Sequence, residues 1–194
     1  MSVVSFIVLA ISLGISIMLL MRQCTSAMPV PLSVGLLISF TMAVIHAALF
    51  CLGILLGNIL RFELPGDTEA FARTNSFVFL GISIIVAIKM MWPYIGKKRT
   101  LDAFDLNAST LKVLLFTIAT GINGFLLAVG VGFVLLLEGH FHTALWPLLI
   151  AIFLFSYLGI MYGRQHVVLR PRRWIAISAL ILLIMAIAAV VNAG

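Results

Sequence analysis

Charge is scarce in this sequence, and acidic charge is scarcest: of 194 residues only 9% are charged, six of them acidic against twelve basic. A soluble domain carries about 25% charged residues on its surface. Here the hydrophobic fraction is 63% and the mean hydropathy +1.26, which leaves more apolar surface than one core can bury. The solvent of this chain is lipid. Cysteine is nearly absent too. Cys24 follows Met21-Arg22-Gln23 rather than the small residues of a lipoprotein cleavage site, and Cys51 lies in an apolar run, so both read as structural and unpaired. Met1 to Val8 contains no Lys or Arg and the apolar stretch continues to Met21, so the first segment reads as a retained helix rather than a signal peptide.

Carboxylates are missing from the apolar segments altogether. Glu63, Asp67, Glu69, Asp102 and Asp105 fall in links and Glu138 at a helix end, which leaves neither a carboxylate proton relay nor a hard-cation cage at membrane depth. With no paired carboxylate, Ser-His-Asp set or metal triad in any span, the sequence gives no sign of an enzyme. Phe50, Phe125, Phe153 and Phe155 read as lipid-facing or packing surface, and no cofactor is implied.

What the chain does have is six apolar runs. At about 20 residues per crossing they predict helices over roughly 3–21, 34–60, 76–95, 113–137, 143–163 and 173–192. The fold class is an all-α membrane protein, a single integral membrane domain over 1–194. Lys and Arg are uneven across the links. Arg22, Lys97, Lys98, Arg99, Lys112, Arg164, Arg170, Arg172 and Arg173 fall on one side, Arg61 and Arg73 on the other, with Lys89 inside a helix. Such a bias puts the basic side in the cytoplasm and both termini outside. The net charge of +6 sits at the ends of apolar segments, where it meets lipid headgroups, so nucleic acid is not an expected partner.

The chain repeats itself. Ile11, Gly14, Ile15, Ser16, Leu19 and Leu20 recur as Ile118, Gly121, Ile122, Asn123, Leu126 and Leu127, and Leu52-Gly53-Ile54-Leu55-Leu56-Gly57 recurs as Leu158-Gly159-Ile160-Met161-Tyr162-Gly163. Two three-helix repeats follow, one over about 1–96 and the other over about 110–194. Three crossings is an odd number, so the second repeat enters the membrane inverted. Transporters commonly use this plan, with the solute site between the repeats near the midplane; glycines spaced for helix packing are the plainer explanation of the echoes.

The polar residues at membrane depth are the candidates for chemistry. Ser16, with Ser12 and Gly14, matches Asn123, with Thr117, Thr120, Gly121 and Gly124, across the repeat. Their oxygens, with backbone carbonyls loosened by glycine, suit a dehydrating cation; alternatively each bonds back to its own helix. His46 sits near the middle of the second helix, where a neutral imidazole can bind a borderline metal, pass a proton or bond to a neighbour. Lys89, close to Pro93 and Gly96, can snorkel to headgroups or pair with an anion. His140 and His142, with one Glu in a turn, form a weak metal pattern.

These residues resemble the bacterial manganese exporters of the MntP type, in the LysE superfamily. The family's first-helix Ser-Met-Asp-Ala motif falls on Gly14-Ile15-Ser16-Ile17, and its fourth-helix Ala-Thr-Ser-x-Asp-Ala on Ala119-Thr120-Gly121-Ile122-Asn123-Gly124. Ala128 to Gly132 matches its Ala-Val-Gly-Val-Gly run, displaced by two residues, Leu158 to Arg164 its Leu-Gly-x-x-x-Gly-Arg, and Ile88-Lys89-Met90 a Gly-Arg-Met-type segment. The resemblance implies an efflux protein for a divalent cation in a bacterial inner membrane, with Ser16, His46 and Asn123 as metal-site positions and Thr120 and Lys89 on the solute path, to which the pattern of polar residues adds Ser12. Both membrane aspartates of the family are replaced here, by Ser16 and Asn123, and a glutamate by His46, so a bare Mn²⁺ would lack charge compensation. The solute stays open between a divalent cation and another small molecule. A non-transporting scaffold that partners another membrane protein, and a homo-oligomer, also stay open.

Overall fold

The computed structural model describes residues 3–27, 30–61, 68–95, 110–134, 141–165 and 170–193, without the side chains of 3, 27, 68, 93–95, 110 and 141–144. Glu63, Asp67, Lys97, Lys98, Arg99, Asp102, Asp105, Glu138 and His140, and the side chain of His142, lie outside this description. The helices are α1 (Val3–Ala27), α2 (Leu32–Ile59), α3 (Thr68–Ile95), α4 (Thr110–Val134), α5 (Phe141–Arg164) and α6 (Pro171–Val191). All six are long and apolar enough to cross a membrane. In hydrocarbon the backbone has only itself to bond, so an unbroken apolar run becomes a helix. Each helix turns large apolar side chains outward, among them Val4, Leu37, Ile85, Leu115, Leu154 and Ile184. Exposed apolar surface on every element is what lipid contact requires.

The helices overrun the expected spans. The expected third span begins at 76, yet α3 begins at Thr68. Hydropathy marks where the hydrocarbon starts, whereas Glu69 in the first turn favours the helix N-terminus and Ala70 and Ala72 prolong the helix beyond it. Likewise α1 continues through Arg22 and Thr25 to Ala27.

The six helices close into a ring in the order α1, α5, α2, α4, α3, α6, with α1 and α4 touching lightly across it. Each repeat therefore packs mainly on the other: α1 lies along α5, and α4 along α2. Glycine makes these two seams. A β-carbon on Gly53 would stand 2.5 Å from the Phe125 carbonyl oxygen and 2.6 Å from Ala128 Cβ; on Gly159 it would meet the Met18 carbonyl oxygen and stand 2.8 Å from Met21 Cβ. One turn on, Gly57 packs on Val129 and Gly132, and Gly163 on Arg22 and Thr25. Phe125, Ala128, Val129 and Gly132 stand 107 positions after Met18, Met21, Arg22 and Thr25, and Gly159 and Gly163 stand 106 after Gly53 and Gly57. The echo in sequence is thus a repeated contact in space. Because close backbone approach is what holds helices together in lipid, these glycines fix the two repeats to each other.

Candidate functional site

His46 lies on α2 at its seam with α4 and is 4% exposed. Its Nδ1 is 2.8 Å from the Met42 carbonyl oxygen. A carbonyl only accepts, so Nδ1 donates there and the neutral ring presents a bare lone pair at Nε2. That nitrogen is enclosed beside the Thr120 backbone, without a well-formed hydrogen bond among the described residues. Room for the ring comes from Gly121 of α4, whose β-carbon would stand 3.7 Å from Nε2. One lone pair is a single ligand, and no group of three His, Cys, Asp or Glu gathers among the described residues.

Of the other expected site residues, Thr120 comes up to the His46 ring with its backbone, and the rest sit elsewhere. Ser16 Oγ donates to Leu13 O at 2.8 Å, and Thr120 Oγ1 to Thr117 O at 2.9 Å, both within their own helices. Ser12 reaches α6: its hydroxyl lies 2.9 Å from Ser178 O, the Ser178 hydroxyl lies 2.7 Å from Ser12 O, and the two hydroxyl oxygens are 3.0 Å apart. Asn123 is half-buried, with Oδ1 enclosed and unpartnered. On α4, Gly121 faces α2, while Gly130 faces Phe79 and Ile82 of α3. Asn123 is two residues from Gly121 and seven from Gly130, which at about 100° per residue turns it toward α3 and away from His46. His46 and Asn123 therefore do not converge. Lys89 is exposed near the C-terminal end of α3, on the outside of the ring.

A cavity of about 440 Å³ enters the bundle at the end that holds both termini, between α1, α3, α4 and α6. Its polar lining is Ser5, Arg61, Asn75, Ser76 and Asn192; Phe133, Val134 and Met185 supply apolar wall. Arg61 follows the end of α2 and lays its guanidinium over the Phe71 ring at 4.3 Å. One turn along α3, Asn75 Nδ2 donates to Phe71 O at 3.0 Å. Among the described residues, the buried Arg61 Nε and Nη1 have no hydrogen-bond partner. A further turn along α3, the fully buried Phe79 packs on Gly130, 2.8 Å from where a β-carbon would stand. Past Phe79 comes Ser83, whose hydroxyl is buried without a partner. Sequence reasoning missed Arg61, which reads as an ordinary loop cation, and Ser83 and Ser178, which were legible as polar residues within spans but lay outside the two echoes.

No family model, curated protein or solved structure matches the chain. Fold and site together define a class: a multi-pass α-helical membrane protein built from six apolar helices.

Proposed function

We propose that this chain is a small-solute transporter whose path runs through the half-ring of α1, α3, α4 and α6. The observation that carries the reading is the cavity at the termini end, which reaches inward between helices of both repeats and is followed, past Phe79 on Gly130, by the buried hydroxyl of Ser83. Ser16 and Asn123, at equivalent positions of the two repeats, and the Ser12–Ser178 pair extend the line of oxygens. In an inverted repeat the two halves can exchange conformations, which opens the opposite end by the same movement. The basic bias of the links favours an orientation in which the cavity opens, with both termini, on the side away from the cytoplasm.

The solute this path suits is neutral or anionic. A divalent cation, which the resemblance to manganese exporters implies, would pass the Arg61 guanidinium and find no carboxylate among the described residues that line the cavity. His46, the best metal ligand in the spans, faces the other side of α4.

The test is a Ser83→Cys variant in a Cys24→Ser, Cys51→Ser background, labelled from outside with a membrane-impermeant thiol reagent. Labelling at a measurable rate, faster when Phe79 is also changed to Ala, supports a path gated at Phe79. A cysteine inert in both variants, while a surface cysteine reacts, identifies a dry bundle and the scaffold reading.

A further inference from the structure

The geometry points to an anion-binding site at Arg61: the outer cavity holds a carboxylate or phosphate group against the guanidinium edge, with an apolar portion of the same molecule along Phe133, Val134 and Met185. This rests on the transport reading for its purpose and deepens it by naming the solute class, but the site itself is tested by binding alone.

A guanidinium is a planar fork of five donors, always charged, and matched to two oxygens of a carboxylate or phosphate. Here its plane is set by Phe71, stacked at 4.3 Å, and Phe71 is fixed one turn from the Asn75 amide that bonds its carbonyl. A cation after the last turn of α2 is favoured by the carbonyl end of that helix, which accounts for a positive charge at this place. It does not account for two buried donor nitrogens, Nε and Nη1, left without acceptors among the described residues. Buried charged donors without partners are among the costlier features a fold can carry. Beside them is a cavity of about 440 Å³, a volume within the range of about 300–1,000 Å³ that small-molecule pockets occupy. Ser5, Ser76 and Asn192 line the same space and can complete the coordination of a second oxygen. The apolar wall excludes a bare hydrated anion as the best occupant and favours an amphiphilic one.

Two sources share this chemistry: a soluble organic anion entering from outside, and the phosphate of an anionic lipid at the headgroup level. The probes are sodium octanoate and phosphatidylglycerol, with octyltrimethylammonium as the cationic control. The chain is purified in a non-ionic detergent, octanoate affinity is read by calorimetry and by the shift in thermal unfolding, and retained lipid is read by native mass spectrometry. Saturable octanoate binding, weakened at least about tenfold in Arg61→Gln, partly kept in Arg61→Lys and lost in Ser76→Phe, which fills the cavity without touching the charge, is the expected result. Should octanoate fail but phosphatidylglycerol be retained by the wild type and lost from Arg61→Gln, the anion site stands and its occupant is lipid. If neither probe binds, or both bind Arg61→Gln and Ser76→Phe as they bind the wild type, the site is overturned. Binding without any accessible path past Phe79 would leave the site and remove the transport reading.

Discussion

Gly57 of α2 and Gly132 of α4 meet face to face: a β-carbon on Gly57 would stand 2.9 Å from the Cα of Gly132, and one on Gly132 would stand 2.8 Å from the Cα of Gly57. The neighbouring atoms are backbone, which cannot rotate away. Gly57→Ala or Gly132→Ala should therefore cost roughly 1–3 kcal/mol, despite the better helix propensity of alanine, and lower the unfolding temperature in detergent. Gly81, with nothing within 4 Å of its β-carbon position, is the control, and Gly81→Ala should leave that temperature unchanged or raise it.

The second glycine seam makes the same prediction at another place. Gly163 meets Thr25 as Gly57 meets Gly132, with 2.7 Å from its β-carbon position to Thr25 Cβ. Gly163→Ala should be as damaging as Gly57→Ala. If one seam tolerates the methyl group and the other does not, the two contacts are not equivalent and the repeat is a weaker symmetry than described.

Ser12 and Ser178 each donate toward the other's carbonyl across the α1–α6 contact. Hydrogen bonds between helices in lipid are worth about 0.6 kcal/mol on average and up to about 1.7 kcal/mol. A double-mutant cycle of Ser12→Ala and Ser178→Ala should return a coupling energy in that range. Strict additivity would mean the pair does not hold α6 to α1.

His46 offers a contrast. Its Nδ1 bond is within its own helix and its Nε2 has only the Thr120 backbone beside it, without a well-formed hydrogen bond among the described residues, while the Met42 carbonyl keeps its helical acceptor role without the ring. His46→Leu, of similar volume, should change stability by less than about 1.5 kcal/mol and leave solute flux intact. A large loss of either would assign Nε2 a contact that this account does not give it.

Manganese distinguishes the solute classes. In a bacterium lacking its own manganese exporter, expression of this chain should leave cell-associated manganese, read by elemental analysis, unchanged. A fall that Asn123→Leu abolishes would restore the cation reading and place its site at Asn123.

The contrast between Gly159 and Asn123 shows what sequence can reveal. The Leu158 to Arg164 segment, the fullest match to the exporter motif, is a packing device, since Gly159 and Gly163 lie against α1. A seam that tolerates no β-carbon leaves a pattern of glycines, so the spans and the glycine seams were both legible. The direction of Asn123 was not. Which neighbour a helical residue faces depends on which helices touch, and an apolar sequence whose exposed and buried residues are equally hydrophobic does not encode that in composition. His46 and Asn123 looked like partners because both are polar at membrane depth, whereas they point to different sides of α4. Arg61 lay in a link with Arg73, Glu63, Asp67 and Glu69, and only the stacking on Phe71 and the enclosed Nε separate it from a solvated loop cation.

The central claim is that Ser16 and Asn123 border one path reached from both sides of the membrane. Ser16→Cys and Asn123→Cys, each in the Cys24→Ser, Cys51→Ser background, are to be labelled with an impermeant thiol reagent in right-side-out and inside-out vesicles. The account predicts that both cysteines react from each face, with octanoate shifting the balance between faces in the same direction for both. Reaction from neither face, with Asn192→Cys labelled normally as the exposed control, would contradict it and leave a packed membrane scaffold.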